Sequence, residues 1–189
     1  MLLLAACGMS SSSATGSQQP TTVGTTAAAT PAALTADGRF TSQRLGWSMV
    51  IPAGWAIRPA TADWPSEDTF PLPGAAYTDN FERPGGFPVI DISTRALNAD
   101  ESSEELLAGI SAGSDAIGCT AESESEIVLD GEMARFQRQL CANQREVVFE
   151  VVAFHADQVW VIYWLSLAAD EGTAEEDFRE ALWTFRFPD

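Results

Sequence analysis

The chain has 189 residues, with 27 acidic side chains against 10 basic ones and a formal net charge of −17 at pH 7. All ten basic residues are arginines, which excludes chemistry that needs a lysine amine, such as a phosphate-binding loop, a Schiff base or a Ser-x-x-Lys acylation site. The negative charge also argues against nucleic-acid binding, which depends on clustered cations. The length suits one domain with a substantial core.

The first residues resemble the signal of bacterial lipoproteins. Leu4-Ala5-Ala6-Cys7 fits the lipobox pattern Leu-(Ala/Ser)-(Gly/Ala)-Cys. The resemblance implies that residues 1–6 are a residual signal, that Cys7 carries lipid, and that the protein lies outside the cytoplasm on a membrane surface. No basic segment precedes the apolar run, so we expect the natural start to lie upstream of Met1. The alternative is a cysteine without a role in a disordered start.

Residues 7–38 are composed almost entirely of Ser, Thr, Ala, Gly, Gln and Pro. Such a segment buries too little apolar surface to offset the entropy of ordering, so it is predicted to be a flexible linker. Random-coil scaling gives it a reach of about 30 Å. All 18 aromatic residues and 36 of the 37 charged ones follow this segment, which places the folded domain at 39–189.

The folded domain opens with a predicted strand, tight turn and second strand. Trp47, Met49 and Ile51 alternate onto one face of the first strand, Pro52-Ala53-Gly54 forms the turn, and the second strand covers 55–57. The two strands are expected to form a hairpin.

Residues 59–88 hold six of the ten prolines and several aromatic residues. A loop of this length inside a compact domain is uncommon unless it is functional or disordered. Aromatic side chains on a stiff scaffold lose little entropy on docking, so the segment is our candidate for a partner-binding surface. The alternative is a packed connection over one end of the sheet. The candidate residues are Trp64, Phe70, Tyr77, Phe81 and Phe87.

An alternating strand is predicted at 89–94, and a helix at 101–117 follows it. Asp100 or Ser102 is expected to cap this helix, and Gly118 to end it. Its apolar stripe consists of Leu106, Leu107, Ile110 and Ile117.

Cys119 and Cys141 remain as a pair once Cys7 is assigned to lipid. In the oxidising compartment that the lipobox implies, a disulfide between them is the expected state. Two reduced, buried thiols are the alternative. A zinc site is disfavoured because structural zinc needs four ligands at short spacings. Redox catalysis is disfavoured because the sequence contains no Cys-x-x-Cys motif.

Glu122, Glu124 and Glu126 recur at every second position, so an extended strand projects them from one face. They could bridge a cation. No calcium-loop motif accompanies them, and like charges on a solvated strand edge also discourage aggregation. We therefore expect a solvated acidic edge and no metal or other cofactor.

The second half of the domain is predicted to be two hairpins. Asp130-Gly131 is a strong turn signal between 127–129 and 133–140, because a primed two-residue turn needs two positive φ angles. Strands at 147–154 and 159–167 follow. Both are apolar on nearly every residue, which indicates central strands covered on both faces.

A last helix is predicted at 174–184. Thr173 and Glu176 have the spacing of a capping box at its start. Its core face is expected to contain Phe178, Ala181, Leu182 and Phe185.

Gly109-Ile110-Ser111-Ala112-Gly113 matches the Gly-x-Ser-x-Gly pattern of hydrolase nucleophiles. That motif needs a strand followed by a strained turn, whereas the preceding residues are predicted helix. A serine hydrolase that uses Ser111 and His155 is therefore a remote alternative, and no catalytic residue is assigned. His155 itself is expected to be an ordinary residue at a strand end.

Two segments resemble the PsbP-like superfamily, which includes a photosystem II extrinsic protein. Residues 46–55 resemble its opening strand pair G-(F/W)-s-(I/V)-x-(I/Y)-P-x-G-W, and residues 178–187 resemble its closing helix and tail. The resemblance implies an α/β (α+β) fold, an antiparallel sheet sandwiched between helices. It also implies a binding or assembly module and transfers no catalytic residue.

The combined expectation is a lipid-anchored, extracytoplasmic binding module of the cell envelope that contacts a membrane protein complex. Its domain is expected to be monomeric. The alternative is a carrier of lipid or another small molecule, with a pocket between sheet and helix.

Cys7→Ser should abolish incorporation of labelled palmitate in cells that express the chain with its natural upstream extension, because the thiol is the acylated group. Labelling is read on a gel. Cys119→Ser is the control, since it keeps Cys7 and should still be labelled. An unlabelled wild-type chain would rule out the lipid anchor.

Overall fold

The computed structural model describes residues 33–60, 72, 74, 75, 77–142 and 144–189. In this part the chain forms two antiparallel sheets and two α-helices. The small sheet has the order β1-β2-β3 and consists of β1 (Ala33–Leu34), β2 (Arg39–Thr41) and β3 (Ser48–Val50). The large sheet consists of β4 (Ala56–Arg58), β5 (Thr78–Glu82), β6 (Val89–Ala96), β7 (Thr120–Leu129), β8 (Glu132–Cys141), β9 (Glu146–His155) and β10 (Gln158–Leu167). Helix α1 (Ser103–Ala116) follows β6, and helix α2 (Glu171–Trp183) follows β10.

The large sheet has the order β4-β5-β6-β10-β9-β8-β7, so β10 and β9 lie at its centre. One side, which we call the α2 face, carries Phe149, Trp160 and Trp164 and packs against α2 and the small sheet. The opposite side, the α1 face, carries Val152 and Val161 and packs against α1. The prediction of two central strands covered on both faces is confirmed.

The tight turn between β7 and β8 is also confirmed. Asp130 has φ 48° and Gly131 has φ 91°, as a primed turn requires. Leu129 pairs directly with Glu132, so the turn contains two residues.

The predicted hairpin at the start of the domain is wrong. β3 pairs with β2 in the small sheet, whereas β4 pairs with β5 at the edge of the large one. Trp47 explains the separation: it is buried against Phe185, with 5.7 Å between ring centroids, and its Nε1 donates to Asp79 at 2.9 Å. The first strand therefore closes the end of the core, and Pro52-Ala53-Gly54 carries the chain from one sheet to the other.

β1 pairs with β2 through Ala33 and Leu34. The sheet structure thus reaches into the last residues of the segment predicted as linker, 7–38. The predicted signal at 1–6, Cys7 and the linker up to residue 32 lie outside the described residues.

Helix α1 begins at Ser103, two residues after the predicted start, and Ser102 is the cap of the two that were predicted. The Ser102 side chain accepts from the backbone N–H of Glu105, whose carboxylate in turn accepts from the backbone N–H of Ser102. The predicted stripe is wrong at Ile117, which is the C-cap and is 56% exposed. Ser114 takes the inward position on the last turn.

Helix α2 begins earlier than predicted. Its first residue is Glu171, so Thr173 falls inside the first turn and the predicted capping box does not form. A 3₁₀ turn at Ala168–Asp170 leads from β10 directly into the helix, and Glu171 is ion-paired with Arg138 on β8. The predicted core face is confirmed, since Phe178, Ala181, Leu182 and Phe185 are all buried.

The proline-rich segment 59–88 is not one loop. It contains β5, whose residues pair with β4 on one side and β6 on the other. Neither helix of the described chain has the length and apolar content of a membrane span.

The structure pairs Cys119 with Cys141 in a disulfide, as the cysteine count predicted. The bond lies at the end of the β7–β8 pair that is farthest from the Asp130-Gly131 turn. Its sulfurs are buried beside Val148 and Tyr163 on the α1 face.

The double variant Cys119→Ser/Cys141→Ser should lose about 2–4 kcal/mol of unfolding free energy, since the unfolded chain is no longer constrained by the cross-link. Urea unfolding with and without reductant measures the loss. Reductant should destabilise the wild type and leave the double variant unchanged. Equal stability of the two oxidised proteins would contradict a stabilising bond.

Candidate functional site

The predicted aromatic surface does not form as expected. Trp64 and Phe70 lie outside the described residues. Phe81 is 0% exposed and packs edge-on against Phe40 at 5.0 Å, so it belongs to the core, and its assignment to a binding surface is wrong. The alternation of β5 explains this position, because Phe81 points to the α2 face.

The two remaining aromatic candidates are separated by β5. Tyr77 precedes the strand and lies under the Arg44 guanidinium, 3.5 Å from its ring centroid. Phe87 lies beyond the other end of the strand, which is five residues and about 17 Å long. Both rings are half-buried, so they do not form one exposed aromatic surface.

Ser111 and His155 do not have the geometry of a serine hydrolase site. Ser111 lies in the middle of α1, without the strand and turn of a nucleophile elbow, and accepts from Arg135 on the α1 face. His155 is on the opposite side of the sheet, where it stacks on Phe187 at 4.4 Å and lies 3.3 Å from Glu132. A central sheet separates the two side chains, so they cannot exchange a proton.

The acidic stripe is divided by a bulge between Ala121 and Ser123. Glu122 pairs with Arg138, which also contacts α2, whereas Glu124 lies 4.0 Å from Arg135 on the α1 face. The expectation that all three glutamates share one face is therefore wrong for Glu122. Within the described ranges, no cluster of His, Cys, Asp or Glu is arranged to hold a metal ion.

A row of polar side chains crosses the α1 face from β5 to β7. Each member is in register with the next across six neighbouring strands. The row, which we call the polar row, consists of Asn80, Asp91, Tyr163, Glu150, Gln137 and Glu124. It lies between the apolar cluster beneath α1 and the disulfide cluster, to which Tyr163 itself belongs.

Glu150 is the most buried member of the polar row, at 0% exposure. Arg135 donates to its Oε1 at 2.8 Å and to the Ser111 hydroxyl at 3.2 Å. Burial raises the pKa of Glu150, and the neighbouring guanidinium opposes that rise. Replacing one partner alone would leave the other charge buried without compensation.

Asp91 is a half-buried acid of the row. Asn80 donates to its carboxylate at 2.7 Å, but burial outweighs this bond and raises the pKa of Asp91. Burial, together with Glu150 and Asp91 on either side, also raises the pKa of Tyr163, which keeps its hydroxyl protonated.

A groove of about 480 Å³ opens beside α1 at the β7 end of the polar row. Its lining combines apolar side chains with two exposed carboxylates and one guanidinium. We call it the α1 groove; it is lined by Leu107, Glu124, Ser125, Glu126, Met133, Ala134, Arg135, Val152 and Phe154. Because Arg135 is already engaged by Glu150, the free charge at the rim is negative. Such a groove can bury an aliphatic group and accept hydrogen bonds from a cation.

The fold has counterparts among solved structures. The solution structure of the cyanobacterial PsbP protein CyanoP from Synechocystis sp. PCC 6803 matches with a TM-score of 0.56 and 12% identity, over 79% of this chain and 91% of that one. The chain has a PsbP-like fold. The crystal structure of LpqN, involved in cell envelope biogenesis of Mycobacterium tuberculosis, matches with a TM-score of 0.53 and 13% identity, over 85% and 87% of the two chains. The sequence matches no family model and no curated protein.

The sequence predicted the PsbP-like fold, and the carrier alternative included a pocket between sheet and helix, but the residues that line the α1 groove were not identified. One signal was available: Glu150 is a single acid within an apolar run that was itself predicted to be a central strand. A buried acid needs a partner, and the alternation of 133–140 puts Arg135 on a defined face. The remaining walls come from elements distant in the chain, so no local pattern indicates the groove.

Asp91→Asn should raise the unfolding free energy at pH 7.5 more than at pH 4. The raised pKa means that the folded state holds its proton more tightly than the unfolded state, so stability falls as pH rises from about 4 through the folded pKa. The amide keeps the bond from Asn80 and removes this cost. We expect a difference of about 1 kcal/mol or more between the two pH values, measured by urea unfolding.

The control is Glu180→Gln, which removes a charge from the exposed side of α2. It should change stability little at either pH. If Asp91→Asn were equally stabilising at both pH values, the burial of this carboxyl would not govern its titration.

Proposed function

We propose that this chain is a binding module of the cell envelope, held at the outer side of a membrane by lipid on Cys7. In this proposal it contacts a membrane-associated protein complex through the α1 groove and performs no chemistry of its own. The folded domain supplies the binding surface.

Three features support an extracytoplasmic location. The lipobox-like Leu4-Ala5-Ala6-Cys7 is the first. The Cys119–Cys141 disulfide is the second, because such bonds persist mainly in oxidising compartments. The fold is the third, since it is shared with LpqN, a protein involved in cell envelope biogenesis.

The main support for a binding function is the set of exposed apolar residues beside the α1 groove. Val128 and Met133 face each other across β7 and β8 and are 58% and 57% exposed. They continue the apolar lining formed by Leu107 and Phe154. A contiguous apolar surface with a polar rim is typical of a protein interface.

Binding without catalysis is supported by the way the polar groups are used. Arg135 and Glu150 neutralise each other, and Ser111 is bonded to the same guanidinium. Ser111 and His155 are on opposite sides of the sheet. Arg135 is thus engaged in fixing the sheet to α1.

A small-molecule carrier is the second candidate, favoured by the position of the groove between a helix and the sheet. Its volume of about 480 Å³ lies within the range of ligand sites. Glu124 and Glu126 at the rim would repel anionic lipids, so a carrier would take a neutral or cationic molecule. Native mass spectrometry distinguishes the two candidates, because a stoichiometric co-purified molecule supports the carrier.

A photo-crosslinking amino acid placed at Met133 should form an adduct with a protein of the membrane fraction in cells. The same amino acid at Trp183, which is 77% exposed on α2, is the matched control and should not. Adducts are detected as discrete heavier bands and identified by mass spectrometry. No adduct at Met133, or equal adducts at both positions, would contradict binding through the α1 groove.

A further inference from the structure

β7 is an edge strand of the large sheet and is exposed along nearly all of its ten residues. Glu126 has no ion-pair partner among the residues described here, and the guanidinium nearest to Glu124 is shared with Glu150. The edge therefore presents negative charge and an unpaired backbone together. This edge adjoins the α1 groove, whose lining includes Glu124 and Glu126.

The register shows which backbone groups of β7 are available. Leu129 and Glu132 close a two-residue primed turn, so they form a hydrogen-bonded pair. Hydrogen-bonded and non-hydrogen-bonded pairs alternate along antiparallel strands. Glu124, Glu126 and Val128 consequently occupy non-hydrogen-bonded positions, and their N–H and C=O groups point away from β8 to the open edge.

The same three residues also share a face. They pair with Gln137, Arg135 and Met133, so their side chains lie on the α1 face beside the groove. At the open edge, Glu124 and Glu126 thus each present a carboxylate and Val128 presents an apolar side chain. The backbone N–H and C=O groups of all three point outward.

We propose that β7 binds an extended segment of a partner protein as an added antiparallel strand, with the pattern apolar-x-Lys/Arg-x-Lys/Arg. The apolar residue lies opposite Val128, and the two basic residues lie opposite Glu126 and Glu124. Backbone bonds supply affinity and the alternating side chains supply specificity. This inference rests on the proposed function and names the chemistry of its partner.

The charge pattern selects this partner over a second copy of the chain. Two β7 strands paired antiparallel at this edge would bring glutamates together, which is unfavourable. A basic strand converts the same contacts into opposite-charge pairs. The bulge at Ala121/Ser123 ends the regular edge, so the recognised core is the five residues opposite 124–128.

The test uses the full chain, labelled with ¹⁵N, and the peptide Thr-Val-Thr-Lys-Thr-Lys-Thr with blocked ends. At saturating peptide, the amides of Glu124, Glu126 and Val128 should exchange with solvent at least about tenfold more slowly, because they gain hydrogen bonds. The amides of Ser123 and Ser125 already bond to β8 and should change little. Protection that fails to appear at the three outward amides would overturn the proposal.

Two modified peptides separate strand addition from simple charge attraction. N-methylation of the first lysine removes an N–H that faces β7 and should weaken binding at least about tenfold in a chemical-shift titration. N-methylation of the preceding threonine, whose N–H faces solvent, should change affinity by less than about twofold. Equal binding by both modified peptides would show that no strand is added.

Two protein variants of equal charge test the recognition. Glu124→Gln/Glu126→Gln should weaken binding about tenfold, whereas Glu176→Gln/Glu180→Gln on α2 should leave it within about twofold. Circular dichroism checks that both fold. Equal affinities for the two variants would overturn the charge assignment.

The peptide experiments need no cellular partner, and the Met133 crosslink needs no peptide. If the peptide does not bind but the Met133 crosslink forms, strand addition to β7 is refuted and the proposed function is not. If the peptide binds but no crosslink forms in cells, the proposed function is refuted.

Discussion

The burial of β9 and β10 on both faces is the constraint on which the structure depends. Their residues are apolar at almost every position, so neither side of the sheet centre can be left to solvent. Helix α2 and the small sheet cover one side and α1 covers the other. The cover of the α2 face includes the three-residue strands β2 and β3 and the C-terminal residues Phe185 and Phe187.

The two faces of the large sheet are covered by different types of structure, and the candidate site lies on the α1 face. The α2 face is filled mainly by aromatic rings such as Trp47 and Phe185, with Asp79 buried beside them as the acceptor for Trp47. On the α1 face the described cover consists of helix α1 together with Leu72 and Ala75. The α1 groove opens beside this helix at the β7 edge of the sheet. In our proposal, binding uses this opening.

The predictable parts of the fold were those whose signal is local. The apolar runs of β9 and β10, the Asp130-Gly131 turn and the N-cap of α1 each depend on a few adjacent residues. β5 was missed because it is short, mostly polar and close to prolines, and its partners lie elsewhere in the chain. The start of α2 was misplaced for a similar reason, since Arg138 on β8 contacts Glu171. The lining of the α1 groove comes from β7, β8, β9 and α1 together, so no local pattern identified its residues.

The disulfide and the Asp130-Gly131 turn close the β7–β8 pair at both ends, which makes this pair of strands a covalent ring. The turn is the exposed end of that ring. A protease that cuts it would leave both strands joined through Cys119 and Cys141, and β8 would still be held by β9. Neither strand could then leave to exchange with another molecule. The edge of the sheet would therefore survive a cleavage that removes an ordinary hairpin.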